Sequence, residues 1–359
     1  MRRALELAER GRGLTSPNPL VGAIVVRGGR VVGEGAHLRA GGAHAEIEAL
    51  DAAGDAARGA TLYVTLEPCA HYGRTPPCAP AVARAGVARV VAALRDPNPL
   101  VAGGGAELLR AAGIAVELGV LGAEAERQNR AWLTAIRERR PHVTLKAAAT
   151  LDGKLADVHG TSKWITGEVS RLRAHRLRAE SDAIVVGVTT ALRDDPALTV
   201  RLPQPWPREP YRVVLDTSGR LDTHARLIHA GTPTRALVAI GEQAPAARVA
   251  ALEATGASVV RCRTRQGRID PASLLERLFE REVRAVLVEG GGETHAAFVD
   301  AGLVDRVALF LAPLLLGGRE APGVVGGAGR ELKSAVRLGP PSVTPLGDDV
   351  LLEADVVRA

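Results

Sequence analysis

Aromatic side chains are scarce in this chain: three Trp, three Tyr and three Phe make up 3% of 359 residues. A surface that stacks successive bases needs such rings, so their scarcity argues against a nucleic-acid partner. A net charge of +6 and a pI near 9.7 would otherwise suggest one. The arginines are interspersed with acids and form no basic block, which makes an anionic small molecule the more economical partner. Cysteine is rarer still. Three cysteines without paired spacing exclude a disulfide framework and point to a cytosolic setting. The longest apolar run, Val307–Leu316, is interrupted by Pro313 and falls short of the roughly 18 residues of a membrane span. The start, MRRALELAERGRG, is amphipathic and lacks the apolar centre of a signal peptide. Internal repeats and low-complexity tracts are absent too.

What is present is a long, evenly apolar chain. With 359 residues and 46% hydrophobic content it fits two globular domains with cores of Val, Leu, Ala and Ile. Strand-like and helix-like runs alternate, the pattern of an α/β layer fold. In the first half, helices are expected at Arg2–Arg10, His44–Ala53, Ala79–Ala85 and Ala106–Ala112, then one long helix at Gly122–Arg137. Strands are expected at Val21–Val26, Arg30–Gly33, Ala60–Val64, Arg89–Ala93 and Ile114–Leu118. Gly28-Gly29 reads as a hairpin turn and Gly103–Gly105 as a loop. The charged run RERRP closes the long helix, and the domain boundary is placed there, giving 1–140 and 141–359. The second half reads as strands at Val143–Ala149, Ala183–Gly187, Tyr211–Leu215, Arg235–Ala239, Ser258–Val260, Ala285–Glu289, Val307–Leu311 and Val350–Ala354. Its helices fall at Glu168–Arg178, Ala246–Thr255, Asp270–Arg281 and Glu293–Ala301.

Two of the three cysteines lie in TLEPCAHYGRTPPC, downstream of His44-Ala45-Glu46. A histidine, a glutamate two residues later and a Pro-Cys with a second cysteine beyond it form the pattern of a zinc hydrolytic deaminase. Zinc takes imidazole nitrogen and thiolate sulfur tetrahedrally, and a catalytic site leaves one corner to water. His44, Cys69 and Cys78 are the candidate ligands. Glu46 is the candidate shuttle, taking the water proton to the ring nitrogen and the leaving ammonia. His44 and Glu46 can converge only at the N-terminal end of their helix, because positions i and i+2 otherwise diverge. Cys78 opens a helical run, where a thiolate is favoured.

Eight residues separate the two cysteines, more than in the commonest deaminase signature. The insert carries His71, Arg74 and Thr75, which can line a pocket over the metal. A structural zinc knuckle is the competing reading; it needs a fourth protein ligand, for which His71 is the nearby candidate. Asn18, between Pro17 and Pro19, is either a turn former or a residue that presents its amide to a base edge. Asn18 and His71 are the candidate substrate contacts of this half. In the second half, Gly290-Gly291-Gly292 follows an apolar strand and leads into a helix. Such a turn either brings backbone N–H groups to a phosphate or is only a tight strand–helix connection. The spaced-glycine dinucleotide fingerprint is missing.

Taken together, these motifs resemble those of the bifunctional riboflavin-biosynthesis deaminase–reductase family. The matching pieces are PNPLVGAIVV, HAEIEAL, YVTLEPCAHYGRTPPC and RDPNPLVAGGG, then LKAAATLDGK, SKWIT, RDDPALTVR, VLVEGGGETHAAF and LVDRVALFLAPLLLGG. They run in the family's order over nearly the whole chain, and the long cysteine spacing is the family's own. The chain starts a few residues late relative to that pattern, which implies a true start upstream of Met1. The resemblance implies two three-layer α/β/α domains, one cytidine-deaminase-like and one dihydrofolate-reductase-like. It also implies two consecutive reactions. Zinc-dependent deamination of 2,5-diamino-6-ribosylamino-4(3H)-pyrimidinone 5′-phosphate is followed by NADPH-dependent reduction of the ribosyl side chain to ribityl. A cytoplasmic homo-oligomer, dimer or tetramer, is implied as well.

Position by position, the resemblance makes His44, Cys69 and Cys78 zinc ligands and Glu46 the proton shuttle. Ala148, Trp164, Thr190, Asp194 and the stretch Gly291, Gly292, Glu293, Thr294, His295, Ala296 and Ala297 match NADPH contacts. Ser162, Arg178, Leu198, Arg201 and Glu289 match substrate contacts. The chemistry agrees for several of these. Arg178 and Arg201 offer planar forks for the substrate phosphate, Trp164 a flat face for the cofactor, and Glu289 an acceptor for pyrimidine or sugar. Lys146, on the strand leading into LDGK, is placed near the ribose carbon that accepts hydride. The competing readings are a nucleic-acid deaminase with an accessory binding domain, and a non-catalytic zinc protein whose second half serves interaction. The intact glycines and both arginines speak against a decayed reductase half.

Overall fold

The computed structural model describes residues 1–72, 76–98 and 104–358. Arg74, Thr75 and Gly103 therefore lie outside the described residues. The chain separates into two compact units, Met1–Arg139 and Arg140–Ala359, each built on its own sheet.

The first unit holds strands β1 (Gly22–Arg27), β2 (Arg30–Ala36), β3 (Thr61–Leu66), β4 (Arg89–Leu94) and β5 (Ala115–Leu118), in spatial order β2-β1-β3-β4-β5. β1 runs antiparallel to β2 and β3, while β3, β4 and β5 are parallel. Among the described residues six α-helices accompany the sheet: α1 (Arg2–Ala8), α2 (Ala45–Ala53), α3 (Cys78–Arg84), α4 (Gly104–Ala111), α5 (Gly122–Gln128) and α6 (Arg130–Glu138). Alternation along β1 assigns its side chains to two cores. Ala23 and Val25 pack with Ala49 and Leu62, whereas Ile24 packs with Leu7 on the opposite face.

Two expectations differ from the structure in this unit. The long helix is broken at Asn129 (φ −100°, ψ 16°). The helical period runs on through this residue, but its buried side chain clamps Leu20: Oδ1 accepts from Leu20 N–H at 2.7 Å and Nδ2 donates to Leu20 O at 2.9 Å. Gly104 and Gly105, read as loop, open α4. A Cβ on Gly105 would collide with the Pro68 carbonyl, so close approach to the cysteine segment, not flexibility, calls for glycine there.

The second unit holds β6 (His142–Thr150), β7 (Ala183–Gly187), β8 (Tyr211–Leu215), β9 (Ala236–Gly241), β10 (Ser258–Cys262), β11 (Thr264–Arg265), β12 (Arg268–Ile269), β13 (Ala285–Val288), β14 (Arg306–Ala312), β15 (Ser342–Leu346) and β16 (Asp349–Asp355). Apart from the small β11–β12 ribbon, they form one sheet in the order β10-β9-β8-β7-β13-β6-β14-β16-β15. The first seven of these are parallel; β16 and β15 are antiparallel additions. Its helices are α7 (Glu168–Ala179), α8 (Val188–Asp194), α9 (Arg226–His229), α10 (Ala246–Glu253), α11 (Pro271–Phe279) and α12 (Gly292–Asp300). Parallel strands of this kind are buried on both faces. Val286 and Val288 of β13 enter one core with Val143 and Phe298, and Leu287 enters another with Leu177 and Phe310. The sequence had suggested neither α8 nor the exposed edge strand β15, which carries Pro345 where an edge tolerates it. Among the described residues no helix is long and apolar enough to cross a membrane.

Candidate active sites

In the first unit, helix starts build the site. His44 is the extended residue that caps α2, Glu46 lies in its first turn, and Cys78 is the first residue of α3. Cys69 follows the end of β3. The ligand atoms of His44, Cys69 and Cys78 all lie within 4.8 Å of one another. His44 Nδ1 stands 3.1 Å from Cys78 Sγ and 3.7 Å from Cys69 Sγ, and the Cys78 N–H donates to Cys69 Sγ at 3.3 Å. One imidazole and two thiols suit zinc in type and number. His71, the candidate fourth ligand, is not in this group, so among the described residues the site offers three protein donors.

A hydrogen bond from Cys78 holds Cys69 well below the usual thiol range, while the same contact pushes Cys78 up. Glu46 is fully buried, and burial raises its carboxyl to about 7 despite the nearby His44. A group poised there takes and returns protons near neutral pH.

Asn18 sits in a turn, as one of its two readings expects. Its backbone closes a turn onto Thr15 O at 2.9 Å, and its Nδ2 meets His37 Nε2 at 3.0 Å. The tautomer follows from the other ring nitrogen: His37 Nδ1 donates to Ala43 O at 2.9 Å, leaving Nε2 to accept. The His37 ring stands edge-on to His44, with centroids 5.4 Å apart. Sequence reasoning missed His37, since no spacing rule ties it to the motif. It also missed Glu67, whose carboxylate accepts from Ala106 N–H at 2.8 Å and Asp96 N–H at 3.2 Å, anchoring α4 beside the cysteine segment.

In the second unit a cavity of about 440 Å³ opens at the carboxyl ends of β6, β7 and β13, the ligand position of parallel α/β sheets. Of the predicted site residues, Lys146, Ala148, Ser162, Trp164, Thr190, Asp194, Glu289, Gly291, Gly292, Glu293 and Thr294 line it. Trp164 is 69% exposed and forms a wall rather than core, with the Arg171 guanidinium 4.7 Å from its ring centroid. The glycine turn serves close packing. A Cβ on Gly290 would lie 2.5 Å from Thr294 Cβ, and one on Gly292 2.6 Å from Gly323 O. At Gly291 the nearest atom, Thr190 Oγ1, would be 3.6 Å away, an ordinary van der Waals contact, so of the three glycines this one alone is not demanded by close packing.

The cavity lining does not include His295, Ala296, Ala297, Arg178, Leu198 or Arg201. His295 and Ala296 are turned into the interior, and Leu198 packs in the core with Ile184 and Val214. Arg178 corrects the phosphate reading: Nε and Nη2 grip Glu289 at 2.7 and 3.0 Å, and Nη1 donates to Thr199 O. Arg201 is exposed and its side chain has no partner among the described residues, so it remains available to an anion. Lys146 Nζ is 3.6 Å from Glu289 Oε2. Burial alone would raise the Glu289 carboxyl, but Arg178 and Lys146 outweigh it and hold it at about 2. His175, which accepts from Arg201 N–H at 3.2 Å, is pressed down to about 4 by burial and the two arginines.

Comparison with known proteins identifies both domains. Residues 141–352 match the family model of the RibD C-terminal domain, and residues 1–94 match that of the cytidine and deoxycytidylate deaminase zinc-binding region. The chain belongs to the RibD family. It is 45% identical over 356 residues to the riboflavin biosynthesis protein RibD of Bacillus amyloliquefaciens, covering 99% of this chain and 95% of that one. The RibD of Aquifex aeolicus is 42% identical, with 98% and 96% covered. Among solved structures, RibD of Acinetobacter baumannii aligns with a TM-score of 0.90 at 38% identity, covering 99% and 98%. The Thermotoga maritima diaminohydroxyphosphoribosylaminopyrimidine deaminase/5-amino-6-(5-phosphoribosylamino)uracil reductase aligns at 0.85 and 37%, covering 99% and 97%. The chain is thus a two-domain deaminase and reductase of riboflavin biosynthesis, with a zinc-binding, cytidine-deaminase-like first domain and an NADPH-using reductase domain of RibD type. A nucleic-acid deaminase is not favoured by matches that run over its whole length.

Proposed function

We propose that this RibD-family chain acts on the compounds named for the Thermotoga maritima enzyme. It would deaminate the diaminopyrimidine ribosyl phosphate and then reduce the ribosyl group of the aminouracil product. The observation that carries the first step is the His44, Cys69, Cys78 triad beside the buried Glu46. Zinc held by those three residues would supply Lewis-acid activation of a water molecule. Glu46 takes one water proton to the ring nitrogen, then carries the second, from the hydroxyl added to the ring carbon, to the amine that departs as ammonia when its C–N bond breaks. Asn18, fixed by His37, keeps its Oδ1 for the pyrimidine edge.

For the second step NADPH supplies the hydride. The donor set suits such a ligand: backbone N–H groups of the Gly291–Gly292 turn open α12 toward the cavity, and helix starts favour phosphate. Lys146, restrained by Glu289, would hand a proton to the ribose ring oxygen as the bond from that oxygen to the anomeric carbon opens and the same carbon accepts hydride. Arg201 is the arginine left for the substrate phosphate. The reading includes a homo-oligomer, dimer or tetramer, in the cytoplasm, supported by the family resemblance.

The test is a coupled assay that follows ammonia and NADPH absorbance together on the diaminopyrimidine ribosyl phosphate, with Glu46→Gln in parallel. Ammonia release followed by NADPH oxidation is expected. The variant should lose both, and the deaminated intermediate should restore the second. Ammonia without NADPH oxidation, even on supplied intermediate, would overturn the reductase roles of Lys146, Arg201 and the glycine turn.

A further inference from the structure

Four cationic side chains line the reductase cavity among the described residues: Lys146, Lys163, Arg171 and Arg193. Two are committed. Lys146 pairs with Glu289, and Arg171 donates to Thr166 O at 2.8 Å while lying over Trp164. Lys163 and Arg193 have no hydrogen-bond or ion-pair partner among the described residues. Arg193 nevertheless has a built position. Its guanidinium rests against Gly160, a cavity residue at φ 83°, and a Cβ on Gly160 would collide with Cζ and both Nη atoms. Shape alone, with no acid to neutralise it, holds this fork at the cavity wall.

Most of the acids around it are already committed. Of the carboxylates lining the cavity, Glu289 is gripped by Arg178 and Lys146, and Glu293 by Arg268 at 2.7 Å. That leaves Asp194, the residue next to Arg193 at the end of α8. In dinucleotide sites an acid suits the free 2′-hydroxyl of the adenine ribose, whereas a nearby arginine accommodates a 2′-phosphate. A planar guanidinium binds phosphate through two parallel N–H groups and offers its face to adenine; a lysine gives a point charge only.

Resting on the cofactor reading of this cavity, we propose that Arg193 is the residue that selects NADPH over NADH, by pairing its guanidinium with the 2′-phosphate. Gly160 is the seat that allows it. The preference then belongs to one exposed side chain that takes no part in hydride transfer.

The experiment is calorimetric titration of the full-length chain with NADPH, NADH, adenosine 2′,5′-bisphosphate and 5′-AMP. It is run on wild type, Arg193→Ala, Arg193→Lys, Gly160→Ala and Lys163→Ala. Wild type should favour NADPH over NADH, and the bisphosphate over AMP, by about tenfold or more, the yield of one charge-assisted bidentate contact. Arg193→Ala should remove that preference by weakening NADPH and the bisphosphate while NADH and AMP hold within about twofold. Arg193→Lys should keep part of it, and Gly160→Ala should resemble Arg193→Ala. Equal weakening of both dinucleotides by Arg193→Ala, or loss of preference in Lys163→Ala instead, would overturn the proposal. If wild type bound neither dinucleotide, the cofactor reading itself would fall, a result distinct from a dinucleotide site indifferent to Arg193.

Discussion

Asn129 holds both main-chain polar groups of Leu20, one residue after the Asn18-Pro19 turn, across 109 positions of sequence. Both partners are buried. This clamp ties the segment that carries Asn18 to the junction between α5 and α6, so it connects the stability of the first domain to its chemistry. Asn129→Ala would strand a buried N–H and a buried carbonyl at a cost of about 2–4 kcal/mol. Hydrogen exchange reads the loss locally. Amides of β3 and β4 should exchange faster and those of β7 should not, because β7 belongs to the other unit. Unchanged protection in β3 would show that the clamp carries no stability.

His37 makes a second expectation of the same kind. It accepts from Asn18, donates to Ala43 O and stands against His44. It is not one of the three clustered donors. His37→Leu fills the space but frees the Asn18 amide. Bound zinc per chain should stay near that of wild type, while kcat/KM for ammonia release falls about tenfold, the worth of one oriented hydrogen bond in a site. A parallel loss of zinc would instead make His37 a support for His44.

What was legible in the sequence follows from how local each feature is. The zinc donors could be read because the metal demands rare residue types, and because two of the three, His44 and Cys78, sit where a short motif meets a helix start. His37 could not, since its partner Asn18 lies 19 positions away across the β1–β2 hairpin. Arg178 looked like an anion receptor because the family pattern makes it a substrate contact and its planar fork suits phosphate. Its carboxylate partner, Glu289, is 111 positions distant, and only the sheet brings them together. The strands of the parallel sheet were plain, being continuous apolar runs. α8 was not: its seven residues, VTTALRD, bury only Val188 and Ala191, a single i, i+3 pair too short to establish a helical period. Gly105 misled by propensity, since close packing against Pro68 decides its place.

The Glu289 ion group makes the reductase domain sensitive to acid. Its carboxyl titrates at about 2 in the folded chain against 4.5 for an unperturbed glutamate, so the extra proton binds the unfolded chain. The contribution is therefore complete above pH 4.5 and drains away as the pH falls toward 2. At pH 7, Glu289→Gln leaves Arg178 buried without its partner and should cost about 3–5 kcal/mol. Denaturant titrations of both proteins should show the gap narrowing once the pH drops below 4.5. A gap that stayed constant down to the acid limit would mean that lost packing, not lost charge, is what the variant suffers.

His295 acts on the cavity without lining it. Its Nδ1 donates to Val324 O at 2.7 Å, and the segment that follows lies along the glycine turn: Gly326 N–H donates to Gly292 O at 2.9 Å, Gly327 N–H to Glu293 Oε1 at 3.0 Å. The histidine thus pins residues 323–327 against the start of α12, where the turn faces the cavity. His295→Leu keeps the apolar burial and deletes the donor. The reductase KM for NADPH should rise about fivefold, the worth of one hydrogen bond near 1 kcal/mol, with kcat changing less. His295→Asn, whose Nδ2 can reach the same carbonyl, should recover most of that affinity. Ammonia release should be the same in all three proteins, because the triad lies in the other unit. If leucine and asparagine behaved alike, bulk at this position rather than the bond to Val324 would be what the cofactor site depends on.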